Sequence, residues 1–132
     1  MISVSGDSLA LDTSVAIAVL AGQAGTLLSQ PPNEFLLPVP VIGERRYGAL
    51  NSRRSVKNLA EVERLVGRCR VLDVTAMTAT VYARLRLGLK EKGKPIPEND
   101  LRIAALCVEH HVPLVTLDRH FDAVDGLERR GL

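Results

Sequence analysis

The sequence predicts an α/β fold, a three-layer α/β/α sandwich with a central and mostly parallel sheet. Short apolar runs alternate along the chain with longer segments whose apolar residues recur at helical spacing. Strands that alternate with helices in this way usually pair in parallel through right-handed crossovers. A length of 132 residues and an apolar fraction of 46% suffice for one hydrophobic core without disulfides. We therefore expect a single domain over residues 1–132.

Short apolar runs predict the strands, and segments with helical periodicity predict the helices. The predicted strands are Leu9–Leu11, Phe35–Val39, Val71–Val74 and Leu114–Leu117. The predicted helices are a stretch that ends at about Leu20, then Val41–Leu50, Val56–Gly67, Met77–Leu89 and a segment that starts at Pro97.

The helix after Pro97 has the clearest signals. A proline followed by Glu98 and Asp100 is typical of a helix start, and Pro113 marks the end of the segment. Its predicted inward-facing stripe consists of Leu101, Ala104, Ala105 and Val108.

The predicted topology places two acids at one edge of the sheet. Asp12 and Asp118 each come directly after a predicted strand. In parallel α/β sheets the ligand site lies beyond the carboxyl ends of the strands. We therefore expect Asp12 and Asp118 to lie on the same side of the molecule, at a candidate functional site.

Four acids are flanked by apolar residues, where an unpaired carboxylate is costly to bury: Asp12, Glu44, Asp100 and Asp118. A hard divalent cation such as Mg²⁺ or Mn²⁺ would offset that cost, because it takes oxygen ligands and needs neither histidine nor cysteine. Setting these four aside leaves 11 acids against 17 Lys and Arg, a charge of +6 compared with the overall +2. A basic body around an acidic pocket suits a polyanionic substrate.

Each acid also has a purely structural explanation. Asp12 before Thr13 and Ser14 could cap a helix. Asp100 in a first helical turn is favoured by the helix dipole. Glu44 could pair with a neighbouring arginine, and Asp118 could be an ordinary turn residue. Taken singly, the four acids do not decide between these explanations and a metal site.

Taken together, four blocks of sequence resemble the PIN-domain family in its VapC-type toxin form. The blocks are Leu11-Asp12-Thr13-Ser14, Gly43-Glu44, Asn99-Asp100-Leu101-Arg102-Ile103-Ala104-Ala105 and Thr116-Leu117-Asp118-Arg119-His120-Phe121. Their order and spacing agree with the family over roughly Leu9 to Val124. Many relatives carry Asn where this chain has Ser14, whose hydroxyl can still donate a hydrogen bond.

The resemblance implies a Mg²⁺-dependent endoribonuclease, with Mn²⁺ as an alternative ion. Asp12, Glu44 and Asp100 would be metal ligands, Asp118 would complete the cluster directly or through water, and Thr116 would hold a carboxylate or water through its hydroxyl. The implied reaction is hydrolysis of RNA phosphodiesters. The implied partners are a cognate antitoxin protein that covers the active groove and a second copy of the chain. Apolar helix faces around Leu50, Leu59 and Val62 could form such interfaces, and core packing explains them equally well.

Several other classes of protein are disfavoured by what the sequence lacks. A receiver domain would show paired acids early and a lysine after its last strand, and a dehalogenase-like phosphatase would have a second Asp at Ser14. Few aromatic residues argue against an RNA reader that stacks bases. A non-catalytic RNA- or protein-binding module on the same fold remains as the alternative.

Three further motifs are given structural interpretations. Gly88–Lys94 imitates a phosphate-binding loop but follows a helical segment and has Pro95 at the hydroxyl position, so we expect a helix end and a loop. His110-His111 is expected to be structural, and His120 lies near the proposed site without an assigned role. The run Arg45, Arg46, Arg53, Arg54 and Lys57 is either a solvated face or an RNA-contacting edge.

The sequence also predicts a cytoplasmic protein with no membrane segment. The apolar stretch Val15–Gly22 is preceded by acids instead of Lys or Arg and is too short to span a membrane. Cys69 and Cys107 are far apart and are expected to be buried thiols in a reducing compartment.

Overall fold

The computed structural model describes residues 8–21 and 34–131. Within these ranges, strands and helices alternate as predicted, and a 3₁₀ helix precedes the last strand. In chain order the elements are β1 Ser8–Leu11, α1 Thr13–Leu20, β2 Glu34–Pro38, α2 Val39–Leu50, α3 Ser55–Arg68, β3 Arg70–Leu72, α4 Ala76–Glu91, α5 Glu98–Glu109, β4 Leu114–Val115, the 3₁₀ helix Arg119–Ala123 and β5 Arg129–Arg130.

The strands form one parallel sheet in the order β3-β2-β1-β4-β5. Ala10 of the central strand β1 lies opposite Leu36 on one side and Leu114 on the other. Every residue of β1 is buried, and so are both Leu36 and Leu37 of β2. Because successive side chains of a strand point to opposite faces, this pattern means that both faces of the sheet are covered. The predicted three-layer architecture is confirmed.

Helix α5 is buried on more than the predicted stripe. Ile103, Leu106 and Cys107 are buried together with the predicted core residues Leu101, Ala104 and Ala105, whereas Val108 is partly exposed. The reason is that α5 contacts both α4 and α2, so a single amphipathic face does not describe its surroundings.

The strand predicted at Leu114–Leu117 is shorter than expected. β4 ends at Val115, and Leu117 is 60% exposed. The Thr116 hydroxyl accepts a hydrogen bond from the backbone N–H of Asp118 at 3.1 Å, a turn that carries the chain out of the sheet. Asp118 therefore does not follow the strand directly and lies in the loop before the 3₁₀ helix.

The other strand boundaries also shift. β2 ends at Pro38, and Val39 begins α2 with a proline in the first helical turn, a position that suits proline. β3 ends at Leu72, so the predicted strand residue Val74 lies outside it and is exposed. Strand β5 is not predicted by the sequence, because two arginines carry no apolar strand signature.

The Gly88–Lys94 motif forms a helix end and a loop, as the sequence predicts. Helix α4 continues through Gly88 to Glu91, and Gly93 in the following loop has a φ of +69°, which glycine adopts readily.

No helix within residues 8–21 and 34–131 is long and apolar enough to cross a membrane. Helix α1 covers the apolar stretch as far as Leu20, and Gly22 lies outside the described residues.

The two cysteines differ in burial. Cys107 is buried in the core as predicted, but Cys69, at the end of α3, is partly exposed, so that prediction is wrong for Cys69. Both are free thiols, and burial raises the pKa of each.

Candidate active site

Asp12 lies where the central strand ends and α1 begins. Its Oδ1 accepts a hydrogen bond from the backbone N–H of Thr13 at 2.8 Å, which makes Asp12 the N-cap of α1. Its Oδ2 accepts a hydrogen bond from the hydroxyl of Thr116 at 2.6 Å. The side chain is buried, with the residue only 6% exposed. The capping role and a place in an acidic site are therefore compatible in one residue.

Thr116 connects two parts of the site. It is fully buried, donates its hydroxyl proton to Asp12 and accepts the backbone N–H of Asp118. A hydroxyl can donate one hydrogen bond and accept others, so Thr116 satisfies both neighbours at once. The side chain thus sets the position of Asp12 relative to the loop that carries Asp118.

Asp100 and Glu44 come from two helices that pack against each other. Asp100 lies in the first turn of α5, and Glu44 lies in α2. The side-chain amide of Asn99 donates hydrogen bonds to Oε1 of Glu44 and, at 3.4 Å, to the carbonyl of Pro40. Asn99, to which the sequence assigned no separate role, therefore ties the start of α5 to α2 and positions Glu44.

The charge on Asp100 is disfavoured by its surroundings. Partial burial raises the pKa of the Asp100 carboxyl, its hydrogen bond to His120 lowers it, and repulsion by Asp12 and Glu44 raises it further, with a net upward shift. Carboxylates that repel one another across a shared space favour a cation between them.

His120 contacts two of the predicted acids. Its Nε2 lies 2.8 Å from Oδ2 of Asp100, and its Nδ1 lies 2.8 Å from Oδ1 of Asp118. The backbone N–H of His120 also donates to Asp118 Oδ1, at 3.1 Å. Ligand atoms of Asp100, Asp118 and His120 all lie within 4.8 Å of one another. The sequence pattern assigned His120 no role, although its position two residues after Asp118 placed it near the proposed site.

One open cavity of about 550 Å³ collects all four predicted acids. The buried Thr116 does not line the cavity but hydrogen-bonds to Asp12, which does, and Arg119 is an exposed cation at the edge of the cavity. The lining residues are Asp12, Thr13, Ser14, Ile17, Glu44, Asp100, Leu117, Asp118 and Arg119. Four separate segments thus meet beyond the carboxyl ends of β1 and β4, where parallel α/β sheets place their ligand sites.

The basic run noted in the sequence does not line this cavity. Arg46 forms an ion pair with Glu63, with Nε and Oε1 2.8 Å apart. Arg53, Arg54 and Lys57 are exposed. The contacts of these residues leave both interpretations of the run open, a solvated face and an RNA-contacting edge.

The oxygen atoms of the side chains that line the cavity suit a divalent cation. The four acids line the cavity, and Arg119 is the one lysine or arginine among its lining residues. The ligand atoms within 4.8 Å of one another are those of Asp100, Asp118 and His120, and Asp12 and Glu44 lie outside that group. The hydroxyl oxygen of Thr13 is buried and has no hydrogen-bond partner among the described residues. Hard cations such as Mg²⁺ take carboxylate, hydroxyl and water oxygens, and a hydrated ion would also offer a partner to a buried hydroxyl. The residues present therefore fit such an ion.

Fold and site together define a parallel α/β domain with an acidic cluster at the carboxyl edge of its sheet. A sequence model described as PIN domain matches residues 9–127. The chain belongs to the PIN-domain family, and the resemblance inferred from the four sequence blocks is confirmed.

Several relatives indicate which members of the family this chain is similar to. Ribonuclease VapC5 of Mycobacterium tuberculosis is 35% identical over 121 residues, which cover 88% of this chain and 87% of that protein. Ribonuclease VapC2 of Haemophilus influenzae is 30% identical over 121 residues, which cover 89% of this chain and 92% of that protein. A crystal structure of VapBC-5 from M. tuberculosis, described as a member of the VapBC family of toxin-antitoxin systems, superimposes with a TM-score of 0.75 at 31% identity, covering 96% of this chain and 98% of that one.

Proposed function

We propose that this protein is a Mg²⁺-dependent endoribonuclease of the VapC toxin type. The observation that carries the proposal is the convergence of Asp12, Glu44, Asp100 and Asp118 from separate elements into one open cavity. The similarity to proteins named ribonuclease VapC supports RNA as the substrate. The basic body around an acidic site also suits a polyanion.

Each residue of the site has a distinct task in this proposal. Asp12, Glu44 and Asp100 hold the ion, with Mn²⁺ as an alternative to Mg²⁺, and Asp118 completes the acidic cluster. When bound, the ion lowers the pKa of a water molecule and offsets negative charge on the phosphodiester. Thr116 keeps Asp12 oriented through its 2.6 Å hydrogen bond. Arg119, exposed at the edge of the cavity, is placed to contact a phosphate of the RNA strand.

The first test is cleavage of a mixed RNA pool by the purified full-length protein with Mg²⁺ or with EDTA. We expect cleavage that requires Mg²⁺ and that falls by a factor of at least about 100 in Asp12→Asn and Asp100→Asn, because each variant removes a ligand charge while keeping the shape of the side chain. Asp73→Asn is the matched control, since Asp73 is an exposed acid outside this cavity and its variant should cleave like the wild type.

Circular dichroism would establish that each variant is folded. Full activity in both Asp12→Asn and Asp100→Asn would show that the acids are not catalytic. A folded wild type that binds RNA but does not cleave it at any Mg²⁺ concentration would support the alternative of a non-catalytic binding module.

We further propose that an antitoxin protein covers this cavity and that the chain forms a homodimer. Two apolar side chains at the cavity, Ile17 and Leu117, are 46% and 60% exposed, and exposed apolar groups beside a polar groove are typical of a protein interface. Of the helix residues considered from sequence, Val62 is buried and Leu59 partly buried, so only Leu50 is exposed enough to contribute.

Co-expression with the protein encoded next to this gene tests the partner. We expect a stable complex in which RNA cleavage is suppressed, and we expect Ile17→Glu and Leu117→Glu to weaken it. Sedimentation of the isolated chain tests the homodimer, and a monomer at micromolar concentration would refute it.

We place this activity in the cytoplasm. Both cysteines are free thiols, which suits a reducing compartment, and RNA is a cytoplasmic substrate.

A further inference from the structure

We infer that His120 is itself a ligand of the metal ion, through Nε2, and that Asp118 orients its imidazole ring. The inference rests on the proposed metal-dependent function and adds a nitrogen donor to a site otherwise composed of oxygen donors. It concerns a residue to which the sequence pattern assigned no part in the site.

The ring is held between two carboxylates by contacts on both sides. Nδ1 lies 2.8 Å from Oδ1 of Asp118, and Nε2 lies 2.8 Å from Oδ2 of Asp100. The backbone N–H of His120 donates to the same Asp118 oxygen. The next residue, Phe121, is fully buried in the core and anchors the 3₁₀ helix from which His120 projects. The imidazole is therefore directed at the acidic cluster and is not a freely rotating surface group.

The contact between Asp118 and Nδ1 is the arrangement that accompanies histidine ligands in metalloproteins. A histidine that binds metal through one ring nitrogen usually donates the N–H of its other nitrogen to a carboxylate or a carbonyl. This contact fixes the tautomer and orientation of the ring and makes the ligating nitrogen more basic. In this chain Asp118 holds Nδ1, which leaves Nε2 as the nitrogen directed toward Asp100.

The separation of Nε2 from Asp100 also fits two donors that share one ion. Ligands that lie about 2.0–2.1 Å from an octahedral ion are about 2.8–3.0 Å apart when they occupy neighbouring positions. The measured separation of Nε2 and Oδ2 is 2.8 Å. These two atoms could therefore bind the same ion with little movement of either side chain.

A nitrogen donor has a measurable consequence for metal preference. Mg²⁺ and Mn²⁺ favour oxygen ligands, whereas Zn²⁺, Fe²⁺ and Ni²⁺ accept imidazole readily. If His120 is a ligand, the site binds Zn²⁺ more tightly than Mg²⁺ by a margin that depends on the imidazole.

Calorimetric titration of the full-length protein with Zn²⁺ and with Mg²⁺ tests this dependence. In His120→Asn we expect the affinity for Zn²⁺ to fall by about 10–100-fold, the range seen when a group supporting a metal site is lost, and the affinity for Mg²⁺ to fall less. His111→Asn is the matched control, because His111 is exposed, follows the C-terminal end of α5 whereas Asp100 lies at its start, and has a φ of 54° that asparagine tolerates. Its affinities should equal those of the wild type.

A second measurement does not depend on any variant. In wild-type protein with ¹⁵N-labelled histidine, titration with diamagnetic Zn²⁺ should shift the Nε2 resonance of His120 and leave that of His111 in place. An unshifted His120 Nε2 in protein saturated with Zn²⁺, together with unchanged Zn²⁺ affinity in His120→Asn, would overturn the inference. Binding of Mn²⁺ that is lost in Asp12→Asn would then still support the proposed function, whereas wild-type protein that binds no divalent ion at all would refute both.

Discussion

The hydroxyl of Thr116 donates a 2.6 Å hydrogen bond to Oδ2 of Asp12, across 104 positions of sequence. The two residues meet because β1 and β4 are paired in parallel, with Leu11 opposite Val115, so the residues that follow the two strands are neighbours. The same hydroxyl accepts the N–H of Asp118 and so connects the buried acid to the more exposed one. The relative position of two candidate site residues thus depends on one side chain.

Replacing Thr116 with valine should therefore affect both stability and activity. Thr116→Val keeps the shape of the side chain but leaves a buried carboxylate oxygen of Asp12 without its donor, at a cost of about 1–3 kcal/mol in the free energy of unfolding. Urea denaturation measures the loss, and RNA cleavage should fall in parallel. Thr116→Ser retains the hydroxyl and should keep most of both. Equal activity in Thr116→Val and the wild type would show that Asp12 needs no such support.

Asp100 should oppose folding when no divalent ion is present. Burial and repulsion by Asp12 and Glu44 raise the pKa of its carboxyl above the usual value despite the hydrogen bond to His120. A carboxyl whose pKa is raised on folding destabilises the native state at a pH where it is ionised in the unfolded chain. In EDTA at neutral pH we therefore expect Asp100→Asn to have a higher Tm than the wild type.

Addition of Mg²⁺ should reverse that order. A ligand at 100 times its dissociation constant stabilises the native state by about 2.7 kcal/mol, and the wild type should gain this while Asp100→Asn gains little. Thermal unfolding with and without Mg²⁺ gives both results. A variant that is less stable than the wild type in EDTA would mean that the contact with His120 outweighs the repulsion.

A second buried carboxylate, that of Glu109, lies away from the site and should affect the stability of the protein but not its activity. The hydroxyl of Thr78 in α4 donates a 2.6 Å hydrogen bond to Oε1 of Glu109 in α5, and both residues are buried. Thr78→Val should lower the free energy of unfolding by about 1–3 kcal/mol, because Glu109 loses a donor that water does not replace. Thr80→Val, on the exposed side of the same helix, is the control and should cost much less. RNA cleavage by folded Thr78→Val should equal that of the wild type, and a selective loss of cleavage would contradict a purely structural role.

The two thiols should react at different stages of unfolding. Cys107 is buried in the core, and burial raises the pKa of its thiol. Burial also raises the pKa of Cys69, which is nonetheless partly exposed. Because the thiolate is the reactive form, native protein should react with a disulfide reagent at Cys69 alone and slowly, and Cys107 should react only after unfolding. Native Cys69→Ser should therefore show no reaction, and rapid labelling of this variant would indicate that the core around α5 opens readily.

Local patterns predicted most of the elements, but not their ends. Apolar runs located four strands because burial on both faces of a sheet leaves a continuous signature. The end of β4 escaped prediction, since it depends on the Thr116 hydroxyl capturing the N–H of Asp118. Strand β5 escaped because Arg129 and Arg130 pair through their backbone with β4 and carry no apolar pattern.

The sequence by itself determined the family, the parallel α/β architecture and the four acids that line one cavity, because these depend on residue types at characteristic spacings. Tertiary structure alone decided the contacts among those acids and their neighbours. Asn99 meets Glu44 because α5 packs on α2, and His120 on the 3₁₀ helix lies between Asp118, just before that helix, and Asp100, at the start of α5. The contacts of Asn99 with Glu44 and of His120 with Asp100 join side chains 55 and 20 positions apart, so no periodicity or local propensity encodes them.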